Sequence, residues 1–99
     1  AFAAMLTAGM EGVREKIEPP AGVDRNIYHM TTDDRRCAGI ETLPADLAEA
    51  HQALLADDLI CRALGSHVVE ALTSVAQAEW DAYRTAVHPR ELDRYLTVY

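Results

Sequence analysis

Ninety-nine residues suit one domain with a single small core. The 49% hydrophobic and 25% charged fractions exclude a disordered chain, and no apolar run approaches the ~20 residues a membrane span needs. A net charge of −7, from 16 acids against 9 bases, excludes nucleic acid as the expected partner, because affinity for phosphate backbones comes mainly from Lys and Arg.

The periodicity is helical almost throughout and no strand signal appears, which predicts an all-α chain of about five helices. The first helix is expected over Phe2 to Ile17. Phe2, Met5, Leu6, Gly9, Val13 and Ile17 recur at spacings of three and four, and Ala3, Ala4, Ala8 and Met10 make the early turns apolar on the other sides. A helix apolar all round needs cover all round. Gly9 and Gly12 suit a helix whose backbone is approached closely by another element. No basic stretch precedes this apolar opening, so it reads as a buried helix and not as a signal peptide. Pro19-Pro20 ends it.

Residues 18–31 read as an ordered irregular loop, pinned by Val23, Ile27, Tyr28 and Met30. Thr31 or Thr32 can cap a short helix to about Ala38, with Gly39 suited to the position after its end. Asp46 can cap the next helix, with Glu49 as reciprocal partner and Leu47, Ala50, Leu54 and Leu55 as its inner stripe. Asp57 or Asp58 starts a short helix closed by Gly65. Ser66 can cap the longest helix, about His67 to Thr85, with Val68, Val69, Leu72, Val75, Ala76, Trp80 and Tyr83 in register and Glu79 at the edge. His88-Pro89 restarts the chain as a terminal helix, since Pro is favourable at the first helical position.

Chemistry is sparse. His67 and Glu70 lie one helical turn apart but lack further ligands, and neither a zinc helix nor a Glu-x-x-His pattern occurs. His29 and His51 are expected at the surface, and His88 is expected to bond locally at a helix start. No phosphate loop and no nucleophile elbow is present. Cys37 and Cys61 form no CxxC, so free thiols in a reducing cytoplasm are expected, with Cys61 a small core residue. Arg35-Arg36 follows Asp33-Asp34, which cancels most of its field.

Read in order, several stretches are specific. "AFAAMLTAGMEGVREKIEPP" followed by "VDRNIYHM", then "GIETLPADLAEAHQALLADD", then "ALGSHVVEALTSVAQAEWDAYRTAVHPRELDRYLTVY", resemble the end of the glutamine synthetase catalytic domain in its shorter, Gram-positive-like bacterial form. The resemblance covers essentially all of the chain, and "EWDAYRTAVHPRELDRYL" is its most diagnostic stretch.

The resemblance implies a C-terminal helical segment, residues 1–99, of a larger α+β catalytic domain whose β-sheet covers the first helix. The family joins ammonia to glutamate through γ-glutamyl phosphate, using ATP and Mg²⁺ or Mn²⁺, and assembles as a cytoplasmic dodecamer. The family's metal, phosphate and ammonia residues all precede this segment. No catalytic, cofactor-binding or metal residue is therefore carried over, and the segment alone is expected to be inactive. The expected partners are other subunits of a homo-oligomer, with glutamate, ammonia and ATP for the parent enzyme and neither nucleic acid nor membrane.

Two features carry over from the family. Tyr28 stands where some members carry AMP, although Asn26-Ile27-Tyr28-His29-Met30 departs from their pattern after the Tyr. Leu92, Tyr95, Leu96, Val98 and Tyr99 are the residue types of a terminal anchor reaching into the opposite ring. A ligase acting on polyamines or other amines within the same family, and a stand-alone helical interaction module, are the alternative readings.

Overall fold

The structure, a computed structural model, describes residues 1–98. Tyr99, the last residue of the expected anchor, lies outside them. Six α-helices carry the described chain: α1 Phe2–Arg14, α2 Thr32–Cys37, α3 Leu47–Ala56, α4 Asp58–Leu64, α5 Ser66–Thr85 and α6 Pro89–Tyr95. There is no strand among the described residues, in line with the all-α expectation.

Helix ends follow the chemistry of individual residues. The Asp46 carboxylate accepts from Glu49 N–H at 2.8 Å, and Glu49 reaches back to Ala45 N–H at 2.9 Å. Asp57 accepts from Ile60 N–H at 3.0 Å and thereby separates α3 from α4. Thr31 caps α2 reciprocally with Asp34: its hydroxyl accepts from Asp34 N–H at 3.1 Å and donates to the Asp34 carboxylate at 2.8 Å. Pro89 occupies the first turn of α6 as expected.

Three expectations are corrected here. Helix α1 stops at Arg14, short of Ile17. Lys16 N–H donates to Val13 C=O and Ile17 N–H to Gly12 C=O, the paired bonds of a Schellman end, with Lys16 at φ +52. Ser66 is the first residue of α5 and caps nothing. Gly65, at φ +83 and ψ 154, precedes it, and no side chain caps the helix. Residues 27–29 form a turn of 3₁₀-helix inside the expected irregular loop, because the Asn26 side chain accepts from Tyr28 N–H at 3.1 Å.

Helix α4 is the hub, with α1, α3 and α5 all packed on it and α3 also packed on α5. Leu59, Ile60, Cys61, Ala63 and Leu64 are half-buried there. The Cys61 thiol donates to Leu54 C=O at 3.1 Å and ties α4 to α3, so the expected core role becomes a half-buried joint.

The inner faces of α1 and α3 are rotated from the expected ones. In α3 the half-buried residues are Ala48, His51 and Leu54, and Leu47, Ala50 and Leu55 are exposed. His51 is therefore not a surface residue: its Nε2 lies 3.1 Å from Thr73 Oγ1 of α5. In α1 the half-buried residues are Ala4, Thr7, Glu11 and Gly12. The small side of α1 meets α4, because short side chains allow a close approach.

Among the described residues only Met30 is fully buried, at 6% exposure. A Cβ built on Gly9 or Gly12 would meet nothing within 4 Å, so neither glycine is used for close packing within this chain.

Candidate interaction surfaces

The outward face of α1 carries the large apolar side chains. Phe2, Met5, Leu6, Met10, Val13 and Ile17 are all between 61% and 89% exposed. A helix that turns its small side inward and its large side outward has its main apolar contact still to make. At the end of this surface Arg14 pairs with Glu11 and Glu15.

A second apolar surface lies at α6. Val87, Leu92, Tyr95 and Leu96, with Glu91 at the edge, line an open groove of about 320 Å³. The Arg94 guanidinium sits 5.7 Å from the Tyr95 ring centroid and covers one face of it. Four of the five expected anchor residues, Leu92, Tyr95, Leu96 and Val98, are thus exposed, and the first three share one groove.

Tyr28 is 99% exposed on the 3₁₀ turn, so its ring does not pin the loop within this chain. Its position is open to solvent and lies apart from both apolar surfaces' lining residues.

No group of three His, Cys, Asp or Glu among the described residues is placed to hold a metal ion. The groove between α4 and α5, about 740 Å³, is lined by acids and bases together, Asp58 and Glu70 with Arg62, beside Ser66 and the half-buried Cys61. The Asp34 titration is perturbed for a structural reason: the Thr31 hydroxyl, then the Thr31 N–H, hold its carboxyl below its ordinary value, with Arg25 adding to the effect. Arg36 pairs with Asp33 at 3.6 Å, while the Nε of Arg35 is buried without an acceptor among the described residues.

Sequence reasoning missed two contacts. The His51–Thr73 bond had a signal in the spacing of Ala48, His51 and Leu54 on one side of α3. The second is the tilted contact of the His88 ring with the Tyr83 ring, with centroids 5.0 Å apart. It crosses a helix end, where 3.6-residue periodicity carries no information.

A helical segment with outward apolar faces and no convergent chemistry belongs to the class of segments completed by packing against something else. Comparison with known proteins narrows that class. The family described as "Glutamine synthetase, catalytic domain" matches residues 1–95. The chain is 49% identical over 96 residues to glutamine synthetase of Thermotoga maritima, covering 97% of this chain and 22% of that protein. It is 48% identical over 99 residues to glutamine synthetase of Thermus thermophilus, covering 100% and 22%. For glutamine synthetase of Staphylococcus aureus the identity is 38% over 99 residues, with 100% and 22% covered. The chain belongs to the glutamine synthetase catalytic-domain family, and it spans about a fifth of the length of these relatives.

Proposed function

We propose that these 99 residues act as the C-terminal helical segment of a cytoplasmic glutamine synthetase, which ligates ammonia to glutamate at the expense of ATP. The observation that supports this reading is an identity of 38–49% sustained over the whole chain but over only 22% of each relative. In this reading the chemistry belongs to residues outside the segment. The residues present offer no donor set for Mg²⁺ or Mn²⁺ and no phosphate-binding loop, so no catalytic step is assigned to them.

The segment's role is packing. The outward face of α1, from Phe2 to Ile17, lies against the catalytic part of the enzyme. The α6 face, Leu92, Tyr95 and Leu96 with Val98 and Tyr99, anchors one subunit to another in a homo-oligomer. A few residues carry most of the energy of an interface, and tyrosines such as Tyr95 are enriched among them. Tyr28, fully exposed, is open to covalent modification by a nucleotide.

The test uses the complete enzyme encoded by the gene and, separately, the 99-residue chain. The complete enzyme forms glutamine from glutamate, ammonia and Mg-ATP, and the 99-residue chain forms none. In the complete enzyme, Leu92→Asp with Tyr95→Ser lowers the oligomeric state seen by sedimentation. Turnover by the 99-residue chain, a complete enzyme that rejects ammonia, or unchanged assembly of the double variant would each overturn the corresponding part.

A further inference from the structure

His88 is half-buried, whereas every other residue from Asp81 to Val98 is exposed. What shields it is aromatic. Its ring lies 5.0 Å from the Tyr83 ring, tilted by 47°, and the Tyr83 ring lies 6.1 Å from the Trp80 ring, at 29°. Trp80 and Tyr83 in turn line a groove with Ala45, Asp46 and Leu47 at the start of α3. A continuous line of rings therefore runs from the α3–α5 body to the first residue before α6.

The backbone leaves few other ways to set the direction of α6. Helix α5 ends at Thr85, and Ala86, at φ −76 and ψ 136, is extended. His88 is extended too, at φ −82 and ψ 146, as expected for a residue preceding proline. The link between α5 and α6 is three residues long and contains no glycine. His88 N–H donates to the Glu91 carboxylate at 3.1 Å, and Glu91 N–H donates to His88 C=O at 2.8 Å, so the first turn of α6 is locked to His88 itself. Whatever holds the His88 ring thus holds α6.

We propose that Trp80, Tyr83 and His88 form an aromatic latch that fixes the direction of α6 relative to α5. The latch presents the apolar groove of Val87, Leu92, Tyr95 and Leu96 as a preset surface for a second copy of the chain. The presentation rests on the anchor role proposed above; the latch itself does not. A preset helix loses less freedom on docking than one that must first be ordered, so the latch acts on assembly without touching the partner. In the latch, position 88 contributes the ring that lies tilted against Tyr83.

The test combines His88→Ala and His88→Phe, each made in the 99-residue chain for NMR and in the complete enzyme for sedimentation. In the 99-residue chain, ¹⁵N relaxation of residues 90–95 reports whether α6 moves with α5. His88→Ala is expected to detach α6, raising its mobility above that of α5 and removing the cross-peaks between rings 83 and 88. His88→Phe is expected to restore both the coupled motion and the ring contact. Loss of an aromatic pair lowers the latched-to-free ratio roughly three- to tenfold, and the association constant of the complete enzyme should fall by a similar factor.

Unchanged relaxation in His88→Ala would overturn the latch, and so would a His88→Phe variant as mobile as His88→Ala. Should His88→Ala free α6 while assembly stays intact, the latch stands and the anchor role of α6 falls.

Discussion

At the scale of single residues, two helix ends built alike differ in one side chain. Helix α1 ends with Lys16 at φ +52, and α2 ends with Gly39 at φ +69. Each closes with the same pair of bonds, Lys16 and Ile17 to Val13 and Gly12, and Gly39 and Ile40 to Arg36 and Arg35. A left-handed backbone costs a residue with a Cβ roughly 1–2 kcal/mol, and glycine almost nothing. A Cβ at Gly39 would meet nothing within 4 Å, so any penalty there is purely conformational. Gly39→Ala is therefore expected to destabilise by about 1 kcal/mol. Lys16→Gly is expected to stabilise by about 0.5–1 kcal/mol, after allowing for the greater freedom of glycine in the unfolded chain. Urea unfolding midpoints check both, and a Lys16→Gly chain no more stable than the parent would contradict the strain at residue 16.

Asp34 supplies the second prediction at this scale. Because Thr31 holds its carboxyl below the ordinary value in the folded chain, folding favours the ionised form. The stabilisation is fully present above the unfolded value of about 3.9 and is lost as the pH falls through the lower folded value. Helix α2 should fray in acid accordingly. The amide shift of Asp34 followed against pH should show a midpoint below that of an unstructured Asp. Thr31→Ala should raise that midpoint toward the ordinary value, and a wild-type Asp34 that already titrates there would refute the cap's contribution.

At the scale of elements, the break between α4 and α5 depends on one residue. Gly65 combines φ +83 with ψ 154, a region that residues with a Cβ avoid at a cost of order 1–3 kcal/mol. It also donates to Cys61 C=O at 3.0 Å and accepts from Val69 N–H at 3.1 Å, so it belongs to both helices. Gly65→Ala is expected to lower stability by about 1–3 kcal/mol and to disturb the α4–α5 corner, visible as amide shift changes at Cys61 and Val69. A variant with wild-type stability and unchanged shifts at both sites would show that the corner tolerates a side chain.

Element boundaries were legible wherever a side chain does the capping. Thr31, Asp46, Asp57 and Pro89 stand where their chemistry places them. Gly39 was legible as a helix stop for the same reason. Inner faces were less legible. In α1 the large residues mark a face that packs on nothing in this chain, so hydrophobicity pointed outward while the contact with α4 uses Ala4, Thr7 and Glu11. In α3 the stripe shifted by one residue because His51 found a hydroxyl partner in Thr73, and a polar pair of that kind is invisible to hydrophobic periodicity. The α6 surface was legible from residue types alone, whereas the ring contact that orients it was not.

At the scale of the whole molecule, the chain is far from closed. Its Cα radius of gyration is 18.9 Å, against about 13 Å for a compact chain of this length. Its accessible surface is 8792 Å², where a compact monomer of 10.9 kDa would show roughly 5,600 Å². The difference, about 3,200 Å², is several times the roughly 800 Å² that one partner contributes to a standard interface. The exposed Phe2, Met5, Leu6, Met10 and Val13 of α1 contribute to it. The 99-residue chain alone is therefore expected to self-associate, with association that strengthens on warming from cold because apolar burial drives it. Net charge −7 opposes contact between copies at low ionic strength, so added salt should also favour association. Met5→Glu with Leu6→Asp alters only the outward face of α1, leaving Ala4, Thr7 and Glu11 against α4. That variant should associate less than the parent at equal concentration, with its helical circular dichroism intact. Two results would count against a free α1 face: a wild-type chain that stays monomeric at millimolar concentration, or one whose scattering gives a radius near 13 Å. The second would mean that α1 rolls its large side chains inward onto α4, and α1 would then need no other surface to cover it.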